Sequence, residues 1–205
     1  MPEHTSNPAK RQRKSAEQRR EDILVAAGKV FAEQGFRCAE VQQIADLAGI
    51  GKGTIYRFYA TKDELFKAAV DAAMQRLTGR VDASIEHCRD PLLQLRAAFR
   101  AYIEFFREHP ETVELFIHER AELRGSKPLY FVYSEARRRR WVDICQQLIE
   151  RYPCRVKDPE LVLDALANLA YGSVFVTRIS ERRVLLDDEA EKLTDLLFNG
   201  ILGQD

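Results

Sequence analysis

The sequence predicts an all-α protein of about nine helices and no sheet. Three observations predict it. Apolar residues recur at three- and four-residue intervals along the chain, and nowhere alternate with polar ones as a half-buried strand requires. Glycines, prolines and capping side chains break that rhythm into segments of ordinary helix length. Residues 41–62, VQQIADLAGIGKGTIYRFYATK, read as two short helices joined by a glycine-marked turn, an arrangement with no use for strands.

Taken in order, residues 1–15 hold two prolines and the run Lys10-Arg11-Gln12-Arg13-Lys14, and predict a flexible basic arm. Such an arm is either a solvated tail or a strap that touches DNA phosphates or the minor groove. Residues 16–34 predict the first helix, with Ile23, Leu24, Ala27, Val30 and Phe31 on one stripe and Gly35 stopping it. Gly28 lies mid-helix, which weakens the helix unless a neighbour packs closely there.

In residues 41–48, Val41, Ile44, Ala45 and Ala48 occupy i, i+3, i+4 and i+7 and give one apolar stripe. Gly49-Ile50-Gly51 ends it. In the next helix Ile55 and Tyr59 face inward, while Lys52, Thr54, Tyr56 and Arg57 bring a cation, a hydroxyl, a phenol and a guanidinium to the other face. That is the design of a helix that enters a DNA major groove. Thr61-Lys62-Asp63-Glu64 is a capping box, and it opens a fourth helix with Leu65, Phe66, Ala69 and Val70 inward, running past Met74 to Leu77 or beyond.

The rear is predicted as five more helices. They are Pro91–Glu108, stopped by His109-Pro110, then residues 111–123, 128–152, 159–179 and 188–202. In LVLDALANLAYGSVFVTRI apolar residues go nearly all the way round, so this helix needs burial on all sides. A second copy of the chain, meeting residues 159–179 and 188–202, would supply it, and two-fold dimers are the commonest oligomers.

Composition agrees with a globular chain: 45% of the 205 residues are hydrophobic and 31% charged. Net charge is +0, yet residues 1–62 hold 11 Lys and Arg against 7 Asp and Glu, and the remainder 21 against 25. The basic front points to a polyanion. The four cysteines form no CxxC pair and no signal peptide stands in front, so reduced thiols and a cytoplasmic location are expected. No apolar run approaches the ~20 residues of a membrane span.

With those residues in hand, the chain resembles the TetR family of bacterial transcriptional regulators. The resemblance is carried by AAGKVFAEQGF and VQQIADLAGIGKGTIYRFYATKDELF, against a family pattern of V-x-x-I-A-x-x-A-G-V-S-K-G-T-L-Y-x-[HY]-F-x-x-K-x-x-L. It implies a helix-turn-helix DNA-binding domain over residues 16–66 and a helical effector-binding and dimerisation domain over residues 67–205. It implies a homodimer on a palindromic double-stranded operator, released by a small molecule. The implied DNA contacts are Gln42, Lys52, Thr54, Tyr56, Arg57 and Lys62. Three positions depart from the pattern. Ala39-Glu40 replace the capping Ser or Thr, so that cap is expected to be lost; Gly51 replaces a serine; and Phe58, followed by Tyr59, replaces the His or Tyr.

Other chemistry is thinner. The glycines around Lys52 miss the phosphate-loop spacing, and His118-Glu119 lacks the second histidine of a zinc hydrolase. No nucleophile–base grouping, metal set or cofactor motif is visible, which argues against an enzyme. The competing reading is an all-helical enzyme, or a dimeric interaction module, that keeps the helix-turn-helix as scaffold. Arg137–Arg140 cover every side of a helix, so some of them must meet partners. Tyr102, Phe106, His118, Phe131, Tyr133, Tyr171 and Phe175 are the candidates for an effector pocket of unknown ligand, with plain core as their other reading.

Overall fold

A computed structural model of the chain describes residues 15–122 and 127–176, together with Lys192, Asp195, Leu196, Phe198 and Asn199. Among them are eight α-helices and no strand: α1 Ala16–Cys38, α2 Val41–Ala48, α3 Lys52–Phe58, α4 Lys62–Ile85, α5 Pro91–Glu108, α6 Glu111–Glu122, α7 Leu129–Arg151 and α8 Pro159–Tyr171. A π-helical turn, Gly172–Val176, follows α8. The ninth predicted helix falls on residues 188–202, where the five described residues from Lys192 on are helical and the rest lie outside the described residues. The basic arm lies outside them too, save Ser15.

Local chemistry sets the boundaries. The Ser15 hydroxyl accepts from the Gln18 N–H and the Gln18 side chain accepts from Ser15, which opens α1. Gly35 stops the regular helix, as its position predicts, with φ 73° and ψ 166°. One more turn reaches Cys38, so α1 is kinked rather than ended. At α4 the Thr61 hydroxyl accepts from Glu64 N–H, and the Glu64 carboxylate reaches one residue further back than a capping box, to Ala60 N–H. Asp90 caps α5 and Asp158 caps α8, each with proline in the first turn.

α1 packs on α4 and α6, α2 packs on α1, and α3 packs on α2. One core is continuous from α1 through α3 into α4, α5 and α6, and carries Phe31, Phe66, Ile44 and Ile55 from the front beside Phe106 and Phe116 from the rear. The line drawn at residue 66 therefore falls inside α4 and inside this core. A second core at the far end joins Ile85, Leu95, Ile144, Leu148, Val162, Leu166 and Phe198. Around α8 the chain buries only Val162 and Leu166, while Leu161 is 56% exposed. Among the described residues no helix is long and apolar enough to cross a membrane.

Candidate functional site

The front of the molecule is built to hold α3 by one face. Ile55 and Tyr59 are both buried. The Tyr59 hydroxyl accepts a 3.1 Å bond from Arg20 Nε, and the Arg20 guanidinium lies 5.7 Å from the Tyr59 ring centre, so α1 grips the end of α3 twice. α2 ends at Gly49 in the left-handed region, φ 67° and ψ 35°, and Ile50 N–H returns to Ala45 O at 3.0 Å. This glycine-centred C-terminal cap sends the chain sharply into α3.

That anchoring leaves Lys52, Tyr56 and Arg57 exposed on the opposite edge, with Thr54 half-buried beside them. Gln42 is exposed on α2, where its amide donates to Asp46 at 2.8 Å. Lys62 is engaged already: its ammonium donates to Arg37 O at 3.1 Å and lies 5.0 Å from the Phe36 ring centre. There it neutralises carbonyls at the end of α1, as cations do at helix C-termini.

At the start of α2 the N-cap side chain makes no capping bond, as Ala39-Glu40 predict; Gln43 Oε1 accepts from Glu40 N–H at 3.0 Å and supplies only the reciprocal half of a capping box. Ala39 is buried in the core. The exposed Glu40 holds the N-cap position.

In the rear a cavity of about 190 Å³ opens between α4, α5, α7 and α8. Val81, Leu95, Ala98, Phe99, Trp141, Leu163, Leu166, Ala167 and Ala170 supply its apolar wall, and Tyr102, Tyr130, Ser134 and Arg138 its polar points. Tyr102 is the one predicted pocket residue on that wall. The others stand elsewhere, for packing reasons. Phe106 and Phe175 are buried in the first core, edge to face at 5.9 Å. Tyr171 stacks on Phe175 at 4.2 Å, and Phe131 is 39% exposed. Tyr133 turns to α4 and donates to Asp71 at 2.8 Å. His118 fills the space over Gly35, 3.2 Å from where a β-carbon would sit.

The arginine run divides by direction. Arg137 and Arg140 both pair with Asp82 on α4, and Arg138 pairs with Glu160 and Asp164 on α8. Glu119 is buried with Oε1 accepting from Leu129 N–H at 2.8 Å and Oε2 without a hydrogen-bond partner among the described residues, and burial pushes its carboxyl above the usual range. Cys145 is a buried free thiol pushed up to about 12 by its apolar surroundings, and so is inert as a nucleophile.

Two short helices at a glycine turn, with a cationic edge left free, define a helix-turn-helix DNA-binding protein with a hollow helical body. Comparison with known proteins places it further. Residues 23–69 match the family model described as bacterial regulatory proteins, tetR family. The chain is 31% identical over 163 residues to the HTH-type transcriptional repressor KstR2 of Mycobacterium tuberculosis, covering 78% of this chain and 79% of that one. The structure of ketosteroid transcriptional regulator KstR2 of M. tuberculosis superposes with a TM-score of 0.70 at 24% identity, over 93% of this chain and 98% of that one. That of AibR in complex with isovaleryl coenzyme A and operator DNA does so with a TM-score of 0.67 at 22% identity, over 90% and 100%. The chain belongs to the TetR family of bacterial transcriptional regulators. It is a DNA-binding regulator and not an enzyme.

Proposed function

We propose that the protein is a homodimeric repressor that holds a palindromic operator through α3 and releases it when a small molecule enters the rear cavity. One observation carries the reading: α3 is held by Ile55 and Tyr59 on one side and presents Lys52, Tyr56 and Arg57 to solvent on the other. Arg57 would meet phosphate or a guanine edge and Tyr56 a phosphate or a thymine methyl, with Lys52 and Thr54 on the backbone. Gln42 and Lys62 reach phosphate by exchanging their present bonds to Asp46 and Arg37. The kinship with a repressor and with a regulator seen with ligand and operator supports both halves of the reading. Such a protein works in the cytoplasm, beside the chromosome.

The dimer contact is assigned to the last two helices, residues 159–179 and 188–202. Exposed Leu161, Ala165 and Asn168 follow one side of α8, and Leu196 is 72% exposed, which leaves apolar surface for a second copy.

The test is retention of DNA from upstream of the protein's own gene across a salt series. A dimer neutralising several phosphates loses roughly 10³-fold or more in affinity between about 50 and 200 mM salt. Failure to retain any fragment from that region at low salt sinks the repressor reading.

A further inference from the structure

The rear cavity has an uneven chemistry that defines what it can hold. The Tyr102 and Tyr130 hydroxyls share one bond at 3.0 Å. Each phenol has a single hydrogen, and one of the two hydrogens is used between them. Among the described residues neither oxygen has a further partner, so the pair keeps one free O–H donor in an aromatic wall. Burial pushes both phenols above their usual pKa, so neither ionises near neutrality. A donor left unmet in such surroundings is unfavourable, and a ligand acceptor relieves it.

Charge narrows the choice. Arg138 is the one charged residue on the wall among the described residues. Its Nη1 donates to Asp164 Oδ1 at 2.6 Å and its Nη2 to Glu160 Oε2 at 3.2 Å. Two carboxylates already meet that one guanidinium, so it offers an anionic ligand no uncompensated positive charge. Size narrows it again. About 190 Å³ lies just above the ~150 Å³ of a cavity that takes benzene and below the ~300 Å³ where drug-sized sites begin.

We infer that the cavity takes a compact neutral molecule, about one ring in bulk, whose carbonyl oxygen accepts from the spare hydroxyl of the Tyr102–Tyr130 pair. The inference rests on the reading of this cavity as the effector site and adds the ligand's class to it. Trp141, the single tryptophan of the chain, lines the same wall and reports occupancy directly.

The experiment titrates the full-length protein with three probes of nearly one shape, followed by calorimetry and by Trp141 fluorescence. They are acetophenone, α-methylstyrene (the carbonyl oxygen replaced by methylene) and benzoate. Acetophenone is expected to bind saturably and about tenfold tighter than either of the others. In the Tyr102→Phe/Tyr130→Phe double variant, which removes only the two hydroxyls, acetophenone falls to the affinity of α-methylstyrene. Equal wild-type affinities for acetophenone and α-methylstyrene overturn the donor assignment without any variant. Benzoate binding as well as acetophenone overturns the neutral-ligand assignment, and no saturable binding by any probe overturns the class. Operator retention is measured on the same preparation without probe, so a failure of the repressor reading shows there and not in these titrations.

Discussion

Two glycines in α1 should respond to the same substitution with opposite sign. At Gly35 the backbone sits at φ 73° and ψ 166°, a region that is essentially glycine's alone, and an added β-carbon would lie 3.2 Å from His118 Cε1 and 3.4 Å from its Nδ1. Strain of this kind costs about 1–3 kcal/mol, and forcing the imidazole aside adds on the order of 1 kcal/mol. At Gly28 the backbone is helical, and the nearest atom to a new β-carbon is Leu115 Cδ2 at 3.8 Å, an ordinary contact. There the gain in helix propensity, about 0.5–1 kcal/mol, is unopposed. In a chain of this length each kcal/mol moves Tm by about 2–4 °C. Gly35→Ala is therefore expected to melt roughly 4–15 °C lower than wild type, and Gly28→Ala roughly 1–4 °C higher. The assay is thermal unfolding followed by helical circular dichroism at fixed protein concentration, since a dimer's Tm depends on it. Adding His118→Ala to Gly35→Ala removes the contact and leaves the backbone strain, so only part of the loss should return. The reasoning is refuted if Gly35→Ala melts with wild type, or if Gly28→Ala melts well below it.

The other expectations concern recognition, pH and assembly. Arg57→Ala and Tyr56→Ala should each weaken operator binding by about 1–3 kcal/mol if they meet base edges, while a phosphate-only role for Arg57 would instead lower the salt slope by about 1; wild-type affinity and slope in both variants would remove α3 as the reader. Asp90 is held below the usual carboxylate range chiefly by the Tyr152 hydroxyl, so its stabilising effect is present above about pH 4 and fades as pH falls through its folded value. Asp90→Ala should lose about 1 kcal/mol of cap at pH 7, with the gap to wild type closing in acid; a gap that stays constant with pH would deny the carboxylate its role. Glu119 runs the other way: its raised pKa makes the folded state bind the proton more tightly, so stability falls as pH climbs above about 4.5. Glu119→Gln keeps an acceptor for Leu129 N–H, and its melting advantage over wild type should grow between pH 4 and 7. An unchanged difference across that range would show the carboxylate to be compensated. Leu161→Asp should shift the protein toward monomer in light scattering after gel filtration, and an intact dimer would move the contact off this side of α8.

The front of the molecule was legible because its signals are local. The stripe Val41, Ile44, Ala45, Ala48, the glycine at 49 and the Thr61 cap each depend on residues within a few positions, and each is where the spacing puts it. The exposed edge of α3 follows once Ile55 and Tyr59 face inward. The cavity was not legible, since no local pattern marks it. Its wall comes from four helices, and small residues such as Ala98, Ala167 and Ala170 line it as much as rings do. Aromatic residues at helical spacing give no sign of direction. Tyr102 and Phe106 sit one turn apart and pack 5.0 Å apart, yet only the first borders the cavity. The Tyr59–Arg20 clasp joins residues 39 apart in sequence, and nothing in either neighbourhood announces it.

The wide turn after α8 adds a consequence of its own. A π-helical turn bonds five residues back instead of four, so it holds one residue more than the helix it continues. The apolar rhythm of α8 and that of Gly172–Val176 are thus out of step by one position. Val162 and Leu166 keep one phase and bury against the second core, while Val174 and Phe175 keep another and bury against the first. Two stripes read through as one look like a helix apolar on every side, which is how the bare sequence reads. The extra residue is a phase shifter: removing it would swing the downstream end of the helix by about 100° and take Phe175 away from Phe106.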